Sequence, residues 1–232
     1  MNADNGQSEV LVGLAMLGMA NTAVGTEVEM AQVWTVGFDE GYNITLSADF
    51  PDGDLRKTEY VDRTKDGRSI GFDFEPGKKR LGRALKLENI PTKFRWGGAA
   101  ERMPDLMLTH SVMLASDKVR NIIEELEPGV HQFFPLETWA KGNKPAQRIY
   151  LMNICNRLDS VDHQKTTKPF DRGIAWRNEK PGELVFNLSQ IGGHKLWHDK
   201  HIFDNMYFVD EVKDAFDAAN VTGVKYYGYR AE

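Results

Sequence analysis

His194, His198 and His201 come closest, by type and spacing, to a chemical device in this chain. On a helix, positions i, i+4 and i+7 share one face, so the three imidazoles would converge as ligands for zinc. Such a cluster would serve a metal-assisted hydrolase. Against it, Lys195 stands where a zinc-protease helix carries the glutamate after its first histidine. No fourth ligand is evident, and Trp197, Ile202 and Phe203 read as anchors that bury the segment. The histidines are therefore read as structural or surface residues, with no metal and no cofactor, and the hydrolase is kept as the alternative. Two carboxylate pairs, Asp52/Asp54 and Glu124/Glu125, flank the turn residue Gly53 and lie on a polar helix face, respectively. Both read as solvated charge and not as acid–base machinery. There is no Gly-x-Ser-x-Gly elbow and no phosphate loop, and Gly71, Gly77 and Gly82 are scattered. No catalytic residue is assigned. The single cysteine, Cys155, excludes an internal disulfide and a multi-cysteine metal site; it adjoins an apolar run and reads as a buried, inert thiol.

The elements around these residues follow from periodicity. Val119, Ile122, Ile123 and Leu126 fall at i, i+3, i+4 and i+7, which predicts a short helix over 117–126. Ser116 is its N-cap, and Glu127, Pro128 and Gly129 stop it. Strands are predicted at 131–137, 148–154 and 183–189, with a long, polar, lysine-rich connection over 156–182. Asp210 is read as the cap of a last helix with Val212, Ala215, Phe216 and Ala219 as its apolar stripe. Asn220 suits its left-handed exit, and residues 224–229 return as an aromatic strand. Upstream, residues 33–36, 43–47 and 69–74 read as short strands separated by aspartate–glycine turns. Residues 87–105, with Pro91, Gly97, Gly98 and Pro104, read as mostly irregular. The fold class is α+β: a small N-terminal antiparallel β region over 1–103, then a mixed strand and helix domain over 104–232.

The apolar run 10–20 is too short for a membrane span, which needs about 20 residues. Asp4 and Glu9, with no lysine or arginine before it, give it the wrong charge for an export signal. It reads as a buried segment of a cytoplasmic protein, with periplasmic export as the alternative. Charge is uneven. Residues 1–60 hold ten acidic and two basic side chains, net -8, against net +3 for the rest of the chain, which together give -5. Lys78, Lys79, Arg80, Arg83 and Lys86 form the sharpest basic cluster, but an acidic chain disfavours nucleic acid as a partner.

Residues 114–135, which run from the capped helix through its Pro128–Gly129 stop to His131 and Pro135, resemble the core of a bacterial polymorphic-toxin immunity family, family eleven. The resemblance continues through Tyr150-Leu-Met-Asn-Ile-Cys-Asn-Arg-Leu-Asp159 and Leu184-Val-Phe-Asn-Leu188. It closes with Phe208-Val-Asp-Glu-Val-Lys-Asp-Ala-Phe216 and Val221-Thr-Gly-Val224, and so covers roughly 101–232. It implies a non-catalytic inhibitor that binds and blocks a cognate toxin encoded by an adjacent gene; a secretion-system interaction module is a further alternative. Many toxins act on nucleic acids or nucleotides through basic clefts. Acidic side chains would steer such an encounter and aromatic residues would anchor it. The expected toxin-binding residues are thus Asp39, Glu40, Asp49, Asp52, Asp54, Trp96 and Trp176. Each tryptophan is equally readable as core. Nothing in the residues specifies the oligomeric state.

Overall fold

A computed structural model describes residues 32–38, 48–64, 77, 80–167, 183–202 and 205–232. Among these the first half of the chain gives β1 (Gln32–Phe38), β2 (Lys93–Arg95), β3 (Leu106–Thr109), β4 (Val112–Ser116) and α1 (Asp117–Leu126). There follow β5 (Gln132–Ala140), β6 (Lys144–Pro145), β7 (Ile149–Asn153), β8 (Arg157–Leu158) and β9 (Val185–Phe186). The chain closes with α2 (Leu188–Ile191), β10 (Leu196–Asp199), β11 (Tyr207–Val209), α3 (Asp210–Ala218) and β12 (Val224–Ala231). One sheet has the order β2-β5-β7-β4-β3, with β6 paired to β5; the other has the order β8-β10-β11-β1-β12-β9. Both are mixed. The pairs β2–β5, β8–β10 and β9–β12 are parallel, whereas the remaining pairs are antiparallel.

The α+β class holds, with strands predominating over helices. α1 forms where its pattern requires. Val119 and Ile123 are buried, Ser116 Oγ accepts from the Val119 amide, and the Glu127 amide closes the last turn on Ile123 O. The α1 face packs with Val212 and Phe216 of α3, Leu106, Met113 and Ala115 of β3 and β4, and Leu196 and Phe208 of β10 and β11. Each fully buried leucine or phenylalanine there contributes about 1.5–3 kcal/mol relative to exposure. A second apolar cluster centres on Phe94, Leu114, Leu136 and Leu151, and a third on Phe186, Trp197, Tyr207 and Tyr229.

Several expectations are refined. Val209, not Asp210, is the N-cap of α3; Asp210 instead accepts from the Trp34 indole at 2.7 Å. The strand expected at 183–189 is confined to Val185–Phe186, because Asn187 Oδ1 accepts from the amides of Ser189 and Gln190 and starts α2. Asn220 does take a positive φ, of 51°. β1 covers the strand expected at 33–36, and it lies between β11 and β12. The strands expected at 43–47 and 69–74 and the apolar run 10–20 lie outside the described residues. No helix among the described residues is long and apolar enough to cross a membrane.

Candidate functional site

His194, His198 and His201 do not converge, because the segment is not helical. β10 occupies Leu196–Asp199, and on a strand residues four apart are separated by roughly 13 Å. His194 lies exposed in the turn before β10, its Nδ1 3.8 Å from Glu127. His198 is buried, with Nδ1 2.7 Å from Asn205 O. That burial, reinforced by the nearby Arg80 and Arg157 charges, pushes its pKa down to about 3 despite the bond to Asn205, so the ring is neutral at ordinary pH. His201 is also buried, but beside different partners.

Those partners are Asp159 and His163. His201 Nε2 lies 3.2 Å from Asp159 Oδ1 and His163 Nε2 lies 3.4 Å from the same oxygen. The two imidazole rings meet edge to face at 5.3 Å. Lys200 Nζ takes the other oxygen at 2.9 Å. Partial burial opposes ionisation of Asp159, but His201 and Lys200 outweigh it and hold its carboxyl below the usual range. Among the described residues this is the one cluster of three or more histidine, cysteine or carboxylate side chains close enough to hold a metal ion.

The acidic residues from the expected binding surface gather elsewhere. Asp49, Asp52 and Asp54 line a groove of about 580 Å³ together with Phe50, Arg56 and His110. Its floor is set by Asp49, whose backbone exchanges hydrogen bonds with Arg95 of β2, and by Phe50, which packs on Phe94 at 5.4 Å. The three carboxylates differ in how much they are already engaged. Asp52 accepts from the Thr92 and Lys93 amides at 3.0 Å and from the Thr92 hydroxyl at 2.6 Å. Asp54 accepts from the amide and guanidinium of Arg56 and pairs with Lys57 at 3.5 Å. Asp49 is exposed. Gly53 between them has φ 68°, and a Cβ there would stand 2.7 Å from Pro91 N. Across the groove, His110 and Ser111 form the two-residue turn of the β3–β4 hairpin with φ of 47° and 62°. Both central residues of such a turn need positive φ, which asparagine and glycine meet at lower cost than histidine and serine.

Trp96 is 6% exposed and belongs to the core beside Phe94, its indole donating to Ala99 O at 3.2 Å. Asp39, Glu40 and Trp176 lie outside the described residues. Cys155 is half-buried, and burial pushes its thiol up to about 11 against the bonds from Gln132 and Asn153, so it stays protonated and unreactive.

Two carboxylates matter to the architecture in ways that periodicity does not reveal. Glu127, 8% exposed, accepts from His131 Nε2 at 2.8 Å, from the Lys195 and Leu196 amides at 3.0 Å and from Asn156. Burial opposes its ionisation, but these donors hold its pKa below the ordinary glutamate value. The signal available in the sequence is an acid at the C-terminus of a helix, where the macrodipole disfavours it. Asp105 accepts from Ser116, Lys118 and both the amide and hydroxyl of Thr222, and so joins β4 to the loop before β12.

A family model, the Immunity protein family (Imm11), matches residues 47–230. The match begins well upstream of the motifs read from the sequence and takes in the whole acidic groove. No curated protein matches the chain.

Proposed function

The chain belongs to the Immunity protein family (Imm11), and we propose that it neutralises a cognate bacterial toxin by stoichiometric occlusion, without catalysis. The observation that carries this is the family match over most of the chain. An immunity role implies a toxin partner, and the acidic groove supplies a surface suited to a basic one. In this reading Asp49 is the main electrostatic contact, because its carboxylate is exposed, whereas Asp52 and Asp54 also hold the loop that presents it. Phe50 and His110, stacked edge to face at 5.8 Å, supply the aromatic wall. Trp96 contributes through the core cluster it shares with Phe94, against which Phe50 packs. Asp39, Glu40 and Trp176 are proposed as further toxin contacts. The protein works in the cytoplasm of the producing cell, and the toxin is encoded by the neighbouring gene. The electrostatic part of binding governs the association rate and fades with salt.

Co-expression with the product of the neighbouring gene tests this reading. Rescue of growth with co-purification of the two chains is expected. Persistent toxicity without a complex would rule out that pairing.

A further inference from the structure

We propose that Asp159, His163 and His201 form a binding site for a zinc ion. The inference is independent of the immunity reading and uses only one of the three histidines that the sequence spacing singles out. Zinc bonds to imidazole nitrogen and carboxylate oxygen are about 2.0–2.2 Å long, which places neighbouring ligand atoms of a tetrahedron about 3.3–3.5 Å apart. Asp159 Oδ1 already lies 3.2 Å from His201 Nε2 and 3.4 Å from His163 Nε2. All three ligand atoms fall within 4.8 Å of one another, so two edges of the tetrahedron are formed. The two imidazole nitrogens lie within the same 4.8 Å, and a bound ion would draw them together to close the third edge.

The ligands are also held from behind, as metal ligands need to be. β8 and β10 run parallel with Leu158 opposite Asp199, so Asp159 and Lys200 leave the sheet side by side. The buried Asp199 carboxylate accepts from the amide and hydroxyl of Ser160 at 2.7 and 2.8 Å and from the His201 amide at 2.7 Å. One side chain thereby fixes the backbone next to two of the ligands. His163 sits on a turn closed by Asp162, whose carboxylate accepts from the Gln164 and Lys165 amides at 2.9 and 3.0 Å. Lys200 occupies Asp159 Oδ2 and leaves Oδ1 to both imidazoles. A cavity of about 640 Å³, lined by Asp162, Gln164, Asn187 and Gln190 as well as Asp159 and His163, opens on the cluster and gives space for water as the fourth ligand. Two nitrogens and one carboxylate oxygen are a donor set that zinc accepts readily. Bound there, the ion would tie the 159–166 turn to the end of β10.

The test is calorimetric titration of the full chain, freed of metal by chelator and dialysis, with zinc chloride. One ion per chain is expected. His163→Ala, at an exposed position and checked for an intact fold by circular dichroism, is expected to weaken binding at least about 100-fold, the upper end of what losing even an outer partner of a metal ligand costs. Asp159→Asn should weaken it as well, and His194→Ala should leave it unchanged. Cobalt in place of zinc should give the intense visible absorption of a tetrahedral site, abolished by His163→Ala. Absence of a saturable one-to-one site, or unchanged affinity in a folded His163→Ala protein, would overturn the proposal and leave a hydrogen-bonded cluster only.

Discussion

At the scale of single residues, His198 has the most definite consequence. Its ring stays neutral down to about pH 3 in the folded chain, whereas an unfolded histidine protonates near pH 6.5. A depressed folded-state value means that the stabilising contribution is complete above about pH 6.5 and is lost as the pH falls toward about 3, by up to about 1.4 kcal/mol per pH unit. Urea unfolding at about pH 7 and about pH 5 should show this loss, and His198→Gln, which can still donate to Asn205 O, should lose less stability between the two. Asp49 gives the second prediction. Asp49→Lys should leave the fold intact and slow association with the toxin by about tenfold or more at low salt, an effect that shrinks as salt rises. An unchanged on-rate would remove Asp49 from the interface. What the sequence conveyed at this scale was residue type, not company. Trp96 as core or contact was undecidable, because indole burial depends on Phe94 and its neighbours, which arrive from distant segments. Asp159 and His163 stand only four residues apart, but the cluster is not legible in the sequence because their third partner lies 38 residues beyond His163.

Elements were more legible. α1 announced itself in Ser116, the apolar stripe and the Pro128–Gly129 stop, all of which are local signals. β10 is less legible, because the i, i+4, i+7 spacing of three histidines suits a helix, whereas Leu196, Trp197 and His198 are buried consecutively, as strands enclosed on both faces require. The β3–β4 hairpin carries a testable cost. Replacing His110 by Asn and Ser111 by Gly should stabilise the chain by about 0.5–2 kcal/mol in thermal or urea unfolding, because both φ values are positive. If the same pair weakens toxin binding, the strained turn belongs to the contact surface. In the opposite direction, Gly53→Ala should cost about 1–3 kcal/mol, since the added Cβ meets backbone and the residue is left-handed. Phe216→Ala in α3 should cost about 3–5 kcal/mol by opening the core that α1, α3 and both sheets share.

At the scale of the whole molecule, non-local pairing dominates. β1 is held by β11 and β12, β2 by β5, and Asp105 reaches Thr222 across 117 residues. Such register cannot be read from periodicity, which is why strands were found more readily than their sheets. Family membership, by contrast, is legible in motif order, and the family match from residue 47 takes in the acidic groove as well as the C-terminal strands. In the proposed function the chain blocks its toxin by covering it and does not consume it. The most direct measurement titrates purified toxin activity with the purified chain. Occlusion predicts a linear fall to zero at one chain per toxin, with full activity recovered when the complex is dissociated. Inactivation at far less than one chain per toxin, or toxin that stays inactive after separation, would contradict it.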